Sequence, residues 1–599
     1  MKTSTITRVV AAATAGASGL TLTFLPSSPG AATFDPLLDG AAVCSAAQTG
    51  RPPLLALLVQ TQAETKPFQP AQQTPAPAAD GTPPLYPDLG KLHVPVTTGN
   101  RKAQAYFDQG MRLTFGFNHA EAARAFRAAQ QLDPNCAMCW WGEALVLGPN
   151  INAPMFPAAV APAAAAAARA SSLAARATPA EQALIRAVAR RYAAEPPQDR
   201  APLDQAYADA MADAARAFPA NDTIQVLFAE ALMDLSPWDY WQAGGARAKG
   251  RTAEMVAALE SVLKRNPDHP GASHYYIHAV EASTQPERAL PYARRLAAQI
   301  PGAGHIVHMP SHIYYRVGQY KDALQSNLDA IAIDEKYFRG AASDPVYKGA
   351  YYPHNIHFVM VSALMGGDGR TALGAAAKLD QSLPAELLKD FAVMQPVKAA
   401  PYFSHVQFSS PETLLALPDP GDDFALVKAM WHYARAVGHA RNGDVAAGRR
   451  EVKAIEEIED GGALKPIADA NVPAQQIAQT ARAVANGRLA EAAGDLPAAI
   501  VAYRQAVEIQ DGLPYTEPPY WYYPVRQSLG AALIRAGRRD EAEQVLRASL
   551  ARTPSNGWAL SGLMEVYRLR GDKAALEAAR KRFATTWLGE PGGPALSRL

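Results

Sequence analysis

The sequence GMRLTFGFNHAEAARAFRAAQQLDP, residues 110–134, decides the fold of this chain. It places Gly110, Ala122, Phe126 and Pro134 at intervals that suit two short helices packed against each other. A small residue lets two helices approach closely, and a proline ends the second helix before the next unit begins. The stretch therefore predicts one antiparallel helix pair.

The same spacing recurs near the other end of the chain. Self-similarity at a period of about 34 residues indicates a helical repeat array. The spacing resembles the tetratricopeptide repeat, and this resemblance implies an all-α solenoid of stacked antiparallel helix pairs. The two later copies contain Gly487, Ala499 and Tyr503 in one unit and Gly530, Ala542 and Pro554 in the other.

The composition agrees with a helical class and excludes others. The chain has 599 residues, of which 49% are hydrophobic and 19% charged, with 57 basic against 56 acidic side chains. So long a chain exceeds a single compact domain unless it is a repeat array. The near-zero net charge argues against binding to nucleic acid or to a membrane surface. We find no apolar run long enough to span a bilayer after the N-terminal region.

The first 90 residues predict export followed by a linker. Residues 1–32 begin with the cations Lys2 and Arg8, continue with an apolar run and end in small residues and prolines. This order is typical of a secretory signal peptide, so we expect an exported protein, periplasmic or secreted. Residues 33–90 are rich in proline and alanine and predict an extended linker.

Two repeat domains are predicted after the linker. We expect an N-terminal solenoid over residues 91–370 and a C-terminal solenoid over residues 371–599. Only three cysteines are present, so disulfides do not build this fold.

Histidines are concentrated in the middle of the chain. Seven of the thirteen lie within one short stretch, at separations of three or four residues. Such separations place side chains on one face of a helix, and stacked repeats would bring several such faces together. The seven are His274, His278, His305, His308, His312, His354 and His357.

The repeat register refines this picture. In the tetratricopeptide family certain places of the first helix face a concave groove, and the resemblance implies that all seven histidines occupy such places. Glu281 and Tyr315 extend the same face, and Glu230 could point into the groove upstream. Pro310 lies inside the expected histidine-bearing helix and should kink it.

Three interpretations of the histidine cluster are open. Neutral imidazoles on rigid helices suit a transition metal such as zinc, copper or iron, and Glu281 could complete the ligand set. The histidines could instead act as metal-free acid and base groups or hold an anionic ligand. They could also be ordinary packed histidines. The metal site is the interpretation that we favour.

A second, weaker candidate is the pair Cys136 and Cys139. They form a CxxC at the start of the helix after Pro134, where the helix dipole favours a thiolate. They could bind metal, form a redox-active disulfide, or serve packing as a local disulfide. We favour the structural role, because the sequence has no second CxxC.

Several longer phrases resemble a group of exported bacterial tetratricopeptide proteins, closely over Leu92–Phe358. They include FGFNHAEAARAF, LMDLSPWDYW, HPGASHYYIHAVEAS, GAGHIVHMPSHIYYRVGQY and YYPHNIHF. We expect an exported repeat protein with a histidine-rich metal site in its groove, whether catalytic or not. The alternative is a metal-free scaffold that binds a peptide or protein partner. In either case a small molecule or peptide would occupy the groove.

Overall fold

A computed structural model describes most of the chain after the first 81 residues. The described residues are 82–193, 199–242, 244–340, 346–384, 388–389 and 392–599. They are mainly α-helical, and isolated β-bridges within these ranges include Asn150 with Ala153 and Trp241 with Ala248. The predicted all-α class is confirmed. The predicted signal peptide, and the predicted linker as far as residue 81, lie outside the described residues.

The first half of the fold runs through the histidine-bearing helices. Its α-helices are α1 Arg101–Phe115, α2 His119–Leu132, α3 Ala137–Val146, α4 Pro157–Leu173, α5 Pro179–Ala189, α6 Ala201–Ala217, α7 Asp222–Asp234, α8 Thr252–Arg265, α9 Pro270–Glu281, α10 Leu290–Leu296, α11 Gly304–His308, α12 Pro310–Arg316, α13 Tyr320–Gly340, α14 Tyr352–Gly366 and α15 Gly369–Ser382.

The second half continues in the same manner. Its α-helices are α16 Gln395–Ala399, α17 Pro401–Phe408, α18 Pro411–Leu415, α19 Ala425–Arg441, α20 Val445–Asp460, α21 Lys465–Asp469, α22 Ala474–Ala492, α23 Leu496–Asp511, α24 Arg526–Arg535, α25 Arg539–Arg552, α26 Gly557–Arg570 and α27 Lys573–Thr586.

Consecutive helices pack in pairs, and the pairs stack on their neighbours. Examples are α1 with α2, α13 with α14, α22 with α23 and α26 with α27. This is the arrangement of a tetratricopeptide-type solenoid, as predicted. The predicted division at residue 370 stays a prediction.

The repeat glycines sit where helices touch. A Cβ added at Gly110 would lie 2.5 Å from the Phe126 ring, and one added at Gly487 would lie 2.4 Å from the Tyr503 ring. In each pair the glycine of the first helix therefore makes room for the large residue of the second. The spacing that predicted the fold thus reflects a direct contact.

Polar caps begin many of the helices. The side chain of Asn118 accepts a hydrogen bond from the Glu121 backbone at the start of α2, and Asp368 does the same for Thr371 at the start of α15. Such caps satisfy backbone N–H groups that the first helical turn leaves without partners.

The end of the predicted linker lies against the repeats. The Tyr86 backbone N–H donates a hydrogen bond to Gln109 Oε1 at 2.9 Å, and the Tyr86 hydroxyl donates to Glu121 Oε1 at 2.9 Å. This part of the segment is therefore packed on the first helix pair, and a turn follows at residues 87–88.

One helix in the described part is long and apolar enough to cross a membrane, judged by length and composition alone. It spans Pro157–Arg176, with a mean hydropathy of 1.2 in its most apolar stretch. It is alanine-rich and packs against α3 and α5. The absence of a membrane span beyond the signal peptide stays a prediction.

Candidate metal centre

Helix α9 presents the first two histidines. It begins with Pro270, and the His269 side chain caps it by accepting a hydrogen bond from the Ala272 backbone. His274 and His278 lie one turn apart on the same face. Both are fully buried, so they point into the protein and not into an open groove.

The next three histidines come from a helix that Pro310 interrupts, as predicted. The segment divides into α11, which carries His305 and His308, and α12, which carries His312. All three imidazoles are buried. The break lets two short helical pieces direct their histidines toward one place.

The last two histidines lie on α14, directly after a π-helical turn at Tyr347–Tyr351. Residues three apart lie on the same side of an α-helix, about 60° from each other, yet His354 and His357 contact different groups. His354 faces the other histidines, with its ring centroid 4.8 Å from that of His308.

Six of the seven predicted histidines form two groups of three. Within each group the candidate ligand atoms all lie within 4.8 Å of one another. We name them trio A, consisting of His274, His278 and His305, and trio B, consisting of His308, His312 and His354. The trios adjoin, since the ring centroids of His278 and His312 are 5.4 Å apart.

In trio A, two ring nitrogens face each other without a hydrogen between them. His274 Nδ1 lies 2.6 Å from the Phe115 carbonyl oxygen, which can only accept, so Nδ1 carries the hydrogen. His278 Nδ1 likewise donates to Glu281 Oε1 at 2.8 Å. In the neutral rings both Nε2 atoms therefore present lone pairs, and they are 3.1 Å apart.

Trio B repeats this arrangement. His308 Nδ1 donates to Asn327 Oδ1 at 2.6 Å, and the Asn327 amide is oriented by its own bond to the Ala323 carbonyl. His312 Nδ1 donates to Glu281 Oε2 at 2.8 Å. The two Nε2 lone pairs, of His308 and His312, are 2.8 Å apart.

Glu281 connects the two trios. One carboxylate oxygen accepts from His278 and the other from His312. Burial alone would raise the pKa of Glu281, but His312 and His278 more than offset this and lower the pKa below its usual range. The carboxylate is thus ionised and fixes the tautomer of one histidine in each trio.

The third member of each trio has free ring nitrogens. Neither Nδ1 nor Nε2 of His305 has a hydrogen-bond partner among the described residues. Within the same part of the chain, His354 Nε2 also lacks one. A buried polar atom without a partner costs about 1–3 kcal/mol, so it calls for an explanation such as an ordered water, an ion or a catalytic role.

Burial favours the neutral form of five of these imidazoles. It lowers the pKa of each, and neighbouring imidazoles lower it further in most cases. The affected residues are His274, His278, His305, His308 and His354. Neutral imidazole is the form that binds metals.

Two aromatic residues with positive φ close the site around His278. Phe117, at φ 55°, stacks on His278 with centroids 6.0 Å apart, and Trp238, at φ 65°, meets it edge-on at 4.8 Å. Positive φ is unfavourable for such bulky residues and tends to occur at functional sites. The Trp238 indole also donates to Asn152, whose amide donates to Tyr351.

A loop from the C-terminal half covers the remaining side. It joins α23 to α24, and the Tyr515 hydroxyl in it donates to Glu281 Oε2 at 2.7 Å. A cavity of about 170 Å³ lies between this loop and His312, the one member of trio B that lines it. The loop contains the TEPPYWYYPV segment, residues 516–525.

The other predicted site residues have separate surroundings. His357 belongs to neither trio in the described chain, because its Nε2 is 2.6 Å from the Tyr522 hydroxyl. Tyr315 lines the cavity. Glu230 lies near Arg191, 4.0 Å from its guanidinium, in a buried ion-pair network with Asp234. Among the described residues, Glu230 is not part of either group of candidate metal-ligating side chains.

Cys136 and Cys139 are joined by a disulfide at the start of α3. Both are fully buried, and the Cys136 sulfur also accepts from the Cys139 backbone as a helix cap. The pair is separate from the two trios.

Sequence reasoning missed three contributions to the site. Asn327 lies on a neighbouring helix, and a lone asparagine gives no signal in a sequence. Phe117 and Tyr515 lie in the aromatic phrases FGFNH and LPYTEPPYWYY. The glutamate and the several tyrosines among prolines in LPYTEPPYWYY are the signal that could have identified this segment as part of the site.

Neither a family model nor a curated protein matches the chain. Among solved structures it is similar to a human IFIT1 dimer with m7Gppp-AAAA, at 13% identity over 82% of this chain and 91% of that one, with a TM-score of 0.27. It is also similar to the APC/C hetero-tetramer Cut9-Hcn1, at 12% identity over 83% and 74%, with a TM-score of 0.25. These scores are low, so the fold assignment rests on the helix pairs themselves.

Proposed function

We propose that this helical-repeat protein holds two transition-metal ions, one in each trio, and that they form a catalytic centre reached through the cavity beside His312. The observation that carries the proposal is the pair of Nε2 contacts. In each trio two buried lone pairs face each other at 3.1 or 2.8 Å, with both ring hydrogens directed elsewhere. A cation between them would turn this repulsion into attraction.

The spacing supports a metal in that place. Two imidazole nitrogens on a tetrahedral zinc ion are about 3.3 Å apart, given metal–nitrogen distances near 2.0–2.1 Å. His305 and His354 would supply the third nitrogen of each set. Donation of Nδ1–H to Glu281, Phe115 and Asn327 is the arrangement that orients histidine ligands in metal sites.

The donor set favours certain metals and a catalytic role. Imidazole ligands suit zinc, copper and iron better than magnesium or calcium. Three protein ligands leave a coordination position open, as in catalytic zinc sites, whereas structural sites use four. An ion with an open position lowers the pKa of bound water or polarises a substrate oxygen.

The alternative of a metal-free peptide scaffold is less well supported. A docking peptide needs exposed side chains, whereas the six imidazoles are buried. We also propose that the protein is exported, which the Cys136–Cys139 disulfide supports, because disulfides persist in oxidising compartments. Cell fractionation with detection of the protein outside the cytoplasm tests this.

Metal analysis of purified, tag-free protein tests the centre. After incubation with zinc or copper and gel filtration, we expect two ions per chain. His305→Ala should remove one ion, His354→Ala the other, and the double variant both. His357→Ala, on the same helix as His354 but bonded to Tyr522, is the matched control and should keep two.

Two results would contradict the proposal. One is the absence of stoichiometric metal after incubation with zinc, copper or iron. The other is unchanged metal content in the double variant, which would assign the metal to different residues.

A further inference from the structure

The cavity beside trio B contains a buried carboxylate that the proposed metal centre does not use. Glu517 lines this cavity and is 4% exposed. Neither of its carboxylate oxygens has a hydrogen-bond partner in the described part of the chain. A buried carboxylate without a partner is costly, so a compensating group is expected there.

The other charges at the cavity already have partners. Asp511 pairs with Arg526 and with Arg552, at 3.2 Å in the second case. Arg316 donates to the Ser283 carbonyl at 3.0 Å and lies over the Tyr515 ring. Burial, and next the Glu281 carboxylate, raise the pKa of Glu517 well above its usual value. Without a counter-charge Glu517 therefore favours its protonated, neutral form, whereas a cationic group placed against it would favour the ionised carboxylate.

Aromatic rings surround the same space. Their faces carry negative electrostatic potential and attract organic cations, by about 0.5–2 kcal/mol for each contact. The aromatic residues that line the cavity are Tyr315, Phe358, Tyr515, Tyr520, Trp521 and Tyr522.

The cavity size limits the ligand. Its volume is about 170 Å³. An apolar cavity of about 150 Å³ accommodates benzene, so the ligand has roughly the size of one ring with a short substituent.

We propose that this cavity binds a small amine, with its ammonium group against the Glu517 carboxylate and its apolar body between the aromatic rings. Such a ligand would lie next to His312. A small amine is thus the ligand class that we assign to the centre, and any role of this ligand in catalysis rests on the proposed function.

Calorimetry with three probes tests the inference. Benzylamine and tetramethylammonium are cations, and benzyl alcohol is the neutral counterpart of benzylamine. On the metal-loaded protein at neutral pH, both cations should bind at least about tenfold more tightly than benzyl alcohol. Tetramethylammonium has no lone pair, so its binding cannot arise from coordination to a metal. Repeating the titrations on metal-free protein separates the amine site from the metal centre.

Glu517→Gln supplies the second arm, with metal content measured alongside. It should weaken both cations about tenfold, leave benzyl alcohol unchanged and keep the metal content of the unaltered protein. Glu508→Gln removes an exposed acid outside the cavity and should change nothing.

Three results would overturn the inference. The first is that benzyl alcohol binds the unaltered protein as tightly as the cations do, a result that requires no variant. Glu517→Gln could leave cation binding unchanged. It could also lose bound metal, which would make Glu517 a metal ligand instead. Loss of metal by the histidine variants tests the proposed function independently.

Discussion

The Tyr515 hydroxyl donates a 2.7 Å hydrogen bond to Glu281 Oε2 across 234 positions of sequence. It joins the loop between α23 and α24 to the carboxylate that orients one histidine in each trio. The loop that covers the candidate centre is thus hydrogen-bonded to Glu281, the residue that positions His278 and His312.

Tyr515→Phe should therefore destabilise the fold. A hydrogen bond to a buried charged group contributes about 1.5–3 kcal/mol, so the free energy of unfolding should fall by about that amount. Urea denaturation of the metal-free protein measures it. Tyr314→Phe, which alters a partly exposed tyrosine, should change it by less than about 0.5 kcal/mol. Equal effects of the two variants would mean that the bond to Glu281 is unimportant.

Glu281→Gln should weaken metal binding. A neutral amide offers one acceptor and one donor, so it cannot accept Nδ1–H from both His278 and His312. Loss of a group that orients metal ligands typically lowers affinity 10–100-fold. Competition with a chelator of known affinity measures this. Glu260→Gln, which removes a more exposed partner of Arg288, is the control. Unchanged affinity would contradict the orienting role of Glu281.

Asp334 should make stability depend on pH. Burial, first among its causes, raises the pKa of Asp334 from 3.8 to about 7, although Tyr347 and Asn355 donate to it. Between pH 3.8 and about 7, the folded state therefore keeps a proton on Asp334 that the unfolded state has lost. The contribution of this proton to the free energy of unfolding is fully present below pH 3.8. It is lost as the pH rises to about 7, by about 1.4 kcal/mol per pH unit.

Asp334→Asn removes this titration. Relative to the unaltered protein, the variant should gain stability steadily between pH 4.5 and 7, as measured by urea denaturation of metal-free samples. A constant difference across that range would show that Asp334 does not take up a proton on folding.

Gly110→Ala should destabilise the first helix pair. The added Cβ would lie 2.5 Å from the Phe126 ring, and such overpacking costs about 1–3 kcal/mol. Gly374→Ala is the matched control, because that helical glycine has nothing within 4 Å of the added atom. It should raise the unfolding free energy by about 0.5–1 kcal/mol, since alanine favours helix. Chemical denaturation distinguishes these opposite signs. If both variants were more stable than the unaltered protein, the close packing of Gly110 against Phe126 would be contradicted.

The helix pairs were predictable because their causes are local. Gly110 and Phe126 recur at an interval set by helix length and turn length, so the contact leaves a regular spacing in the sequence. For the same reason His274 and His278 could be placed on one face, and Pro310 could be predicted to interrupt the helix that carries His308.

Less local features escaped the sequence. His354 and His357 looked equivalent, yet His354 contacts His308 of trio B and His357 contacts Tyr522 from the C-terminal half. The open groove expected from the repeat register is closed here, because the loop carrying Tyr515 covers it. A repeat register describes one unit and its neighbours, and it contains no information on a segment that returns from far along the chain.

The sequence by itself determined the helical repeats and the faces on which the histidines lie, since both follow from the 3.6-residue turn of the helix. Only the tertiary structure decided that Glu281 would lie between two trios, that His305 and His354 would keep nitrogens without partners in the described chain, and that Glu517 would line the cavity. These contacts join residues up to hundreds of positions apart. They depend on how the repeats stack and not on the pattern of any one helix.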